Sequence, residues 1–407
     1  MNSFAGSNSE LAADHNRGVI LRTIQRYQPL SRTELAQRTG LTKQAVARIA
    51  GRLIADGLVI EAGRRHGAPG QPAIELEIDP AGACAVGIGM ARDHVTFVAL
   101  DAAGTMRGRL HYDIHYILPD QFFELTQEAL ATFRHRRLVD PDRLAGIGLA
   151  IPDWLGEIPF PKMPAEFTAW DRVDVRQRFA EFTTLPIFID NDATAATIGE
   201  LNYGLGVESR SFFYIFIGSG LGGGVVLDGV CYHGTGGLSG EIGWMPALVA
   251  DKGRGGSVEP LGQVISLFIL YEFLAEHGIE ISHPHQLLLL DRRGRDLVSQ
   301  WLRDKAVHLA EAAIQIGLLI DPDAILTGGR LPIRLIDELL VNVHDHLAQS
   351  GRKAPPIYRA AGSENAAALG AATMPLAEVL RLEARDRAQR TRLPHTGHHT
   401  VAGDLAR

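Results

Sequence analysis

Cysteine is scarce in this chain of 407 residues: Cys84 and Cys231 are the only two, and neither stands in a CxxC pair. Two isolated thiols exclude a disulfide framework, and their simplest setting is a reducing cytoplasm. Long apolar runs are missing too. No stretch reaches membrane-spanning length, and the first residues hold no basic segment leading into an apolar core, so the expectation is a soluble cytoplasmic protein with no membrane partner. Net positive charge is also lacking: the chain carries -7 overall, which excludes a nucleic-acid surface spread over its whole length. What is present is an ordinary globular composition, 46% hydrophobic and 21% charged, enough for two or three domains with real cores.

The average hides an asymmetry. Between Arg17 and Pro72 there are ten Arg or Lys against three acids, Glu34, Asp56 and Glu61, and ten minus three leaves +7 on this stretch. Its pattern is helical from Arg17, with Val19, Ile20, Ile24 and Tyr27 on one stripe that stops at Pro29. Ser31-Arg32-Thr33-Glu34 matches a capping box opening a short helix that ends at Gly40. Thr42 caps a third helix, Lys43 to about Asp56, with Val46, Ile49, Leu53 and Ile54 inward and Lys43, Gln44, Arg48 and Arg52 outward. Helix, glycine turn and helix at this spacing make a helix-turn-helix. Leu58-Val59-Ile60, a Gly/Arg-rich tip from Gly63 to Pro72 and the alternating Ile74 to Ile78 then make a wing. A helical protein-interaction module with a merely solvated basic face is the bland alternative; the agreement of cap, turn, basic face and wing favours double-stranded DNA. Thr42, Lys43, Gln44 and Arg48 are the candidates for the major groove, and Arg64 and Arg65 for the backbone or minor groove.

Asp79-Pro80-Ala81-Gly82 marks a boundary. Cys84 to Met90, His94 to Asp101 and Met106 to Tyr112 read as hairpin-linked strands. A helix from Gln121, a strand Ala145 to Ile151, a helix Val175 to Phe182 and a strand Pro186 to Ile189 follow. A second lobe of similar logic contains strand Phe212 to Ile217, a hairpin at Asp228-Gly229, helices Val264 to His277 and Leu297 to Leu319, and strand Ile325 to Gly329. The small-residue run Ala366 to Ala372 opens a closing helix. The unpatterned tail carries His395, His398 and His399, which read as solvated rather than as metal ligands.

The chemistry concentrates between Ile189 and Glu259. Gly218-Ser219-Gly220-Leu221-Gly222-Gly223-Gly224 satisfies GxGxxG after a strand, but a dinucleotide fingerprint needs a helix to begin within the glycines, and Val225 to Tyr232 reads as a hairpin. Such a turn either offers backbone N–H groups to phosphate or simply permits close packing. Asn191 and Asp192 stand where a strand meets a helix, so they point into a crevice. An amide and a carboxylate there are suited to hydroxyl groups, with a helix N-cap as the plainer alternative. Glu241, in Gly240-Glu241-Ile242-Gly243-Trp244, and Glu259 add two further carboxylates.

Taken together, Asp190-Asn191-Asp192-Ala193 through Gly199-Glu200, the loop Gly218 to Gly224, and Gly240 to Gly243 resemble the ROK family, which unites bacterial sugar-responsive repressors with sugar kinases. Ile325 to Gly329 and Ala366 to Ala372 fit its later motifs. The resemblance spans about Arg17 to Leu382, and the head is similar to that of the repressor branch. It implies an α/β protein, an N-terminal winged helix-turn-helix followed by a two-lobed actin-like or ribonuclease-H-like ROK body. The boundaries are then a flexible arm at 1–15, the head at 16–80, a first lobe at 81–195 closed by a helix at 365–383, a second lobe at 196–364 and a flexible tail at 387–407. It also implies a sugar site lined by Asn191, Asp192, Glu241 and Glu259, Asp192 matching the general base of the kinases.

Three departures from the family pattern bear on activity. On the first hairpin, Gly87-Ile88-Gly89-Met90-Ala91-Arg92-Asp93 replaces an acidic, threonine-bearing phosphate loop, leaving Gly89 and Asp93 at the key positions. Trp244 stands where a histidine is common, and as a candidate sugar-site residue it either stacks on an apolar sugar face or simply fills space; with no cysteine in Pro246 to Val258, no zinc site and no cofactor are expected. Pro152-Asp153-Trp154 replaces a Pro-Gly turn, with Trp154 either narrowing the pocket or filling core. The expectation is therefore a non-enzymatic repressor that binds operator DNA and a sugar effector as a homodimer or homotetramer. A sugar kinase with a DNA-binding head is the enzymatic alternative, and a regulator that has lost its ligand and works through a protein partner is a third.

Overall fold

The computed structural model describes residues 9–65, 73–152, 164–249, 256–362 and 364–380. In the head, α1 (Ser9–Tyr27) begins inside the stretch expected to be a loose arm. Its downstream turns bury Ile20, Leu21 and Ile24, and once they have nucleated, helix propagates cheaply back through Ala12 and Ala13. After β1 (Leu30–Ser31), the capping box forms as its sequence predicts: Ser31 Oγ accepts from the Glu34 N–H at 3.2 Å and the Ser31 N–H donates to the Glu34 carboxylate at 2.8 Å. The helix it opens, α2 (Arg32–Thr39), ends at Gly40, whose φ of +69° is the left-handed turn that glycine supplies without strain. Thr42 then caps α3 (Lys43–Ala55), which buries Val46, Ile49, Ala50 and Leu53.

The wing differs from expectation in two ways. Gly63, Arg64 and Arg65 continue strand β2 (Val59–Arg65) rather than forming the tip, because a bulge between Glu61 and Gly63 lets them pair with β3 (Ala73–Ile78). Leu30 and Ser31 also pair with Leu76 and Glu75, giving a three-stranded sheet in the order β1-β3-β2. The rest of the expected tip, residues 66–72, lies outside the described residues.

The body uses one plan twice. In the first lobe β4 (Cys84–Met90), β5 (Val95–Asp101), β6 (Met106–Tyr112), α4 (Pro119–His135), β7 (Leu144–Ile151), α5 (Val175–Ala180) and β8 (Ile187–Asn191) give a sheet ordered β6-β5-β4-β7-β8. β4 pairs antiparallel with β5 and parallel with β7. After α6 (Asp192–Tyr203) come β9 (Phe212–Ile217), β10 (Leu221–Leu227) and β11 (Val230–Tyr232). The ribbon β12 (Pro246–Val249) with β13 (Ser257–Pro260) follows, then α7 (Leu267–Glu276), α8 (Arg292–Ile320), β14 (Ala324–Gly329), α9 (Ile333–Ser350) and β15 (Ile357–Arg359). This second sheet runs β11-β10-β9-β14-β15, antiparallel between β9 and β10 and parallel between β9 and β14, the same arrangement as the first. The helix expected from Val264 starts at Leu267 because Ser266 caps it, accepting from the Ile269 N–H at 3.4 Å.

The chain closes with α10 (Ala366–Leu380), laid against the first lobe and crossing α6. The crossing is at backbone distance. A Cβ on Gly370 would lie 1.7 Å from the Ala195 carbonyl oxygen, and one on Gly148 of β7 would lie 1.8 Å from the Ala371 oxygen. On its other side α6 rests on β10, where a Cβ at Gly222 would meet Ala193 at 2.9 Å and one at Gly224 would meet Thr197 Oγ1 at 2.1 Å. The boundary expected at residue 195 therefore cuts through a helix that both lobes grip; the passage to the second lobe follows Tyr203.

This packing gives two helical glycines opposite responses to the same change. Gly370→Ala is expected to lose about 3 kcal/mol, because the methyl meets a carbonyl that cannot retreat, even though helix propensity alone favours alanine. Gly51→Ala, in α3 with open space around it, is expected to gain about 0.5–1 kcal/mol. Urea melts of the two variants read both signs.

Candidate functional site

The head presents its polar residues on one side of α3. Lys43, Gln44, Arg48 and Arg52 are exposed, with Val46, Ile49 and Leu53 buried behind them. Thr42 is exposed at the start of the helix, but its hydroxyl oxygen is committed to the cap, accepting from the Ala45 N–H at 3.2 Å. Arg64 is exposed on β2; Arg65 ends that strand. The three acids between Arg17 and Pro72 are occupied within the head: Glu34 in the capping box, Asp56 on Arg17 at 3.0 Å and Glu61 on Arg32 at 2.9 Å. Among the described residues no ion pair engages Lys43 or Arg48, which leaves both charges at the exposed face of α3.

In the cleft, β8 delivers Asp190 and Asn191 to its carboxyl end, where α6 begins. Asn191, not Asp192, is the N-cap: its Oδ1 accepts from Ala193 and Thr194 N–H at 2.8 and 3.3 Å. Asp192 is the first helical residue and accepts from the Ala193 N–H at 2.8 Å. Burial pushes the Asp192 carboxyl above the usual carboxylate range, against the pull of the Ala193 N–H and of Arg92. On the second lobe, Gly240, the residue before Glu241, packs on the strand that carries α6. Ala193 lies against Gly222, and Gly240 at φ +90° lies against Gly223, where a Cβ would fall 2.7 Å from the Gly240 oxygen. Glu241 opens the short turn Ile242–Trp244, and Glu259 pairs with Ala247 on the ribbon that follows. Trp244 is 57% exposed, which removes the reading in which it only fills space. Asp153 and Trp154 lie outside the described residues.

Two cross-lobe pairings at this cleft carry no signal in the sequence. His233, just after β11, meets Asp190 with Nε2 2.9 Å from Oδ2, beside Asn191. Arg330, just after β14, pairs with Asp93 on the β4–β5 turn, and Asp93 also meets His94 Nδ1 at 2.8 Å. Burial opposes ionisation of Asp93, but His94 and Arg330 hold its carboxyl well below the ordinary range. Burial pushes His94 down, against the pull of Asp93. The glycine loop, for its part, is a tight turn in which the Gly218 N–H donates to the Gly220 oxygen at 2.9 Å, followed by strand β10. No helix starts there, and Gly222 and Gly224 are the seats of α6 rather than part of a phosphate cradle. Among the described residues no group of three or more His, Cys, Asp or Glu is arranged to hold a metal ion, and no helix is long and apolar enough to cross a membrane.

With this geometry in place, comparison with known proteins is informative. A family model described as the ROK family matches residues 85–378, and one described as the MarR family matches residues 17–68. The y4fQ protein of Sinorhizobium fredii is 28% identical over 339 residues, covering 81% of this chain and 82% of its own length. The xylose repressor of Bacillus spizizenii is 28% identical over 237 residues, 56% of this chain and 60% of the repressor, so the chain spans about three fifths of that relative. A solved ROK family transcriptional regulator, a homologue of the Escherichia coli MLC protein, superimposes with a TM-score of 0.64 at 22% identity over 91% of this chain and 98% of its own. Sugar kinases of the same family also match. The two-lobed body and the winged helix ahead of it thus have a shared identity: the chain belongs to the ROK family, with a MarR-type head in front.

Proposed function

We propose that the protein is a DNA-binding transcriptional repressor controlled by a sugar bound in the cleft between its lobes. The observation that carries this reading is that one chain joins a capped helix α3, with Lys43, Gln44 and Arg48 outward, to a body in which Asn191 and Asp192 stand where β8 meets α6. Relatives named for xylose and for N-acetylglucosamine support a pentose or hexose as the effector class. Operators read by paired recognition helices are palindromic, so the working form is a homodimer or homotetramer. Asn191 and Asp192 bind hydroxyls from the first lobe, Glu241 and Glu259 from the second, and Trp244 covers an apolar sugar face. Arg64 and Arg65 take the DNA backbone or minor groove beside the wing.

The kinase alternative draws on Asp192 and on the Gly218–Gly220 turn. Against it stands the first hairpin. There Asp93, paired with Arg330 from the second lobe, sets a carboxylate where a donor's phosphates would meet like charge. Phosphoryl transfer rests on positioning and charge neutralisation, and this hairpin supplies neither.

Three outcomes test these assignments. In gel shifts on the DNA upstream of its own gene, Lys43→Ala and Arg48→Ala are each expected to weaken binding. Where the replaced side chain neutralises a DNA phosphate, the slope of log affinity against log salt should fall by about 1. D-xylose, D-glucose and N-acetylglucosamine are the panel for release, and indifference of the native protein to DNA overturns the proposal. By calorimetry, Asp192→Asn is expected to weaken sugar binding at least about tenfold. Because the folded Asp192 carboxyl titrates above its ordinary value near 4, native affinity should already fall as pH drops toward that value from above. A coupled assay for sugar-dependent ADP release should read zero at high protein concentration. Separately, the Asp93 carboxylate, held low in the folded state, contributes stability that is complete above about pH 4 and lost as pH falls below it. Acid titration of Asp93→Asn beside the native chain should show that loss blunted.

A further inference from the structure

The cleft and the head are joined by one straight element. α6 starts at the cleft, where Asn191 caps it and Asp192 is its first residue, and ends twelve residues later at Tyr203. At 1.5 Å per residue that is a rod of about 18 Å. Its far end touches the DNA-binding head: Gln25 of α1 donates its side-chain amide to the Asn202 carbonyl oxygen at 3.1 Å. Tyr203 packs against the apolar cluster that Ile20, Leu21 and Ile24 of α1 share with Leu376 and Leu380 of α10.

Both lobes hold the rod along its length. Ala193 and Thr197 are seated on Gly222 and Gly224 of the second lobe, and Gly199 meets Gly370 of α10, which belongs to the first. Near the far end the buried carboxylate of Glu200 accepts from Leu205, Ala361 and Gly362 N–H at 2.8, 2.9 and 3.1 Å, and the Tyr203 ring fills the space beside Gly104. The seats on Gly222, Gly224 and Gly370 contain no long, flexible side chain that could absorb a shift, because each sets a glycine against backbone or a short side chain. A change in lobe angle at the Asn191 end must therefore appear as rotation or translation at the Asn202 end.

We propose that α6 is the transmission element of this regulator, and that Gln25 is the residue through which the head reads its position. This rests on the sensor reading above and adds the route by which the effector acts. Among the described residues the hydrogen bond of Gln25 goes to α6 and not to the candidate sugar residues or to α3, so its removal should leave each binding event alone and weaken only their coupling. Coupling is reciprocal: the factor by which sugar changes operator affinity equals the factor by which operator changes sugar affinity.

The test uses the full chain, its own upstream DNA and whichever of D-xylose, D-glucose or N-acetylglucosamine releases the native protein. The native chain is expected to show a sugar-induced change in operator affinity within about 5–150-fold. In Gln25→Ala the operator affinity without sugar and the sugar affinity without operator should each stay within about twofold of native, while the induced change falls about fivefold in both directions. Gln25→Met, which keeps the volume and lacks the donor, should give the same result, which assigns the effect to the hydrogen bond and not to lost bulk. A native chain that responds to sugar beside Gln25 variants that respond equally overturns the transmission role and leaves the sensor reading intact. A native chain that binds its DNA and ignores every sugar overturns the sensor reading itself, and this proposal with it.

Discussion

The body depends on the backbone-distance crossing of α6 and α10. Gly370 against the Ala195 carbonyl and Gly199 against Gly370 leave no room for a side chain, and the same closeness recurs where α10 meets Gly87 and Gly148 of the first sheet. Such packing gains little from buried apolar area, since glycine has none to bury. Its worth lies in dispersion over many close atom pairs and in the single register they allow. The run Ala366 to Ala372 is accordingly a length requirement written as composition: any larger residue on the inner face would push the lobes apart.

Charge inside the body follows a similar economy. Glu200 is almost wholly buried, yet it receives N–H bonds from two separate loops, one leaving α6 and one entering α10, so its desolvation is offset where the chain must turn twice. Asp93 and Arg330 do the same across the lobes. Removing one partner of a buried pair costs far more than the pair contributes, which ties the β4–β5 turn to the end of β14.

How much of this the sequence discloses depends on range. The head is nearly all legible, because caps and turns are local: Ser31 with Glu34, Gly40 and Thr42 each act within three or four residues. The strands of the first lobe are legible through their apolar runs, and Trp301, Leu302, Leu309, Ala313 and Ile316 of α8 are buried as their spacing predicts. The helix α9 is missing from the expected elements although Leu335, Ile336, Leu339, Leu340 and Val343 mark its stripe, a periodic signal that stands in plain view. Arg330 with Asp93 and His233 with Asp190 are a different case. Partners separated by 237 and 43 residues meet only through the sheet order, which hydrophobic pattern does not specify. The glycines of β10 mislead in the opposite direction: a motif that suggests phosphate is, at Gly222 and Gly224, the footprint of a helix.

That footprint bears on what Asp192 is for. Had Asp192 been the N-cap, its carboxylate would have been consumed by the helix and the cleft would have lost its acid. Asn191 takes that work, and a neutral amide is sufficient for it. Asp192 is left one residue further on, near the positive end of the helix dipole, which favours its charge, and in a setting whose burial disfavours it. The second effect wins, so the carboxyl is poised closer to protonation than an ordinary aspartate. Hydroxyl donors entering the cleft would stabilise the charged form by hydrogen bonds, whereas phosphate oxygens would add like charge to it. That carboxyl sits at the start of the helix whose far end reaches the head.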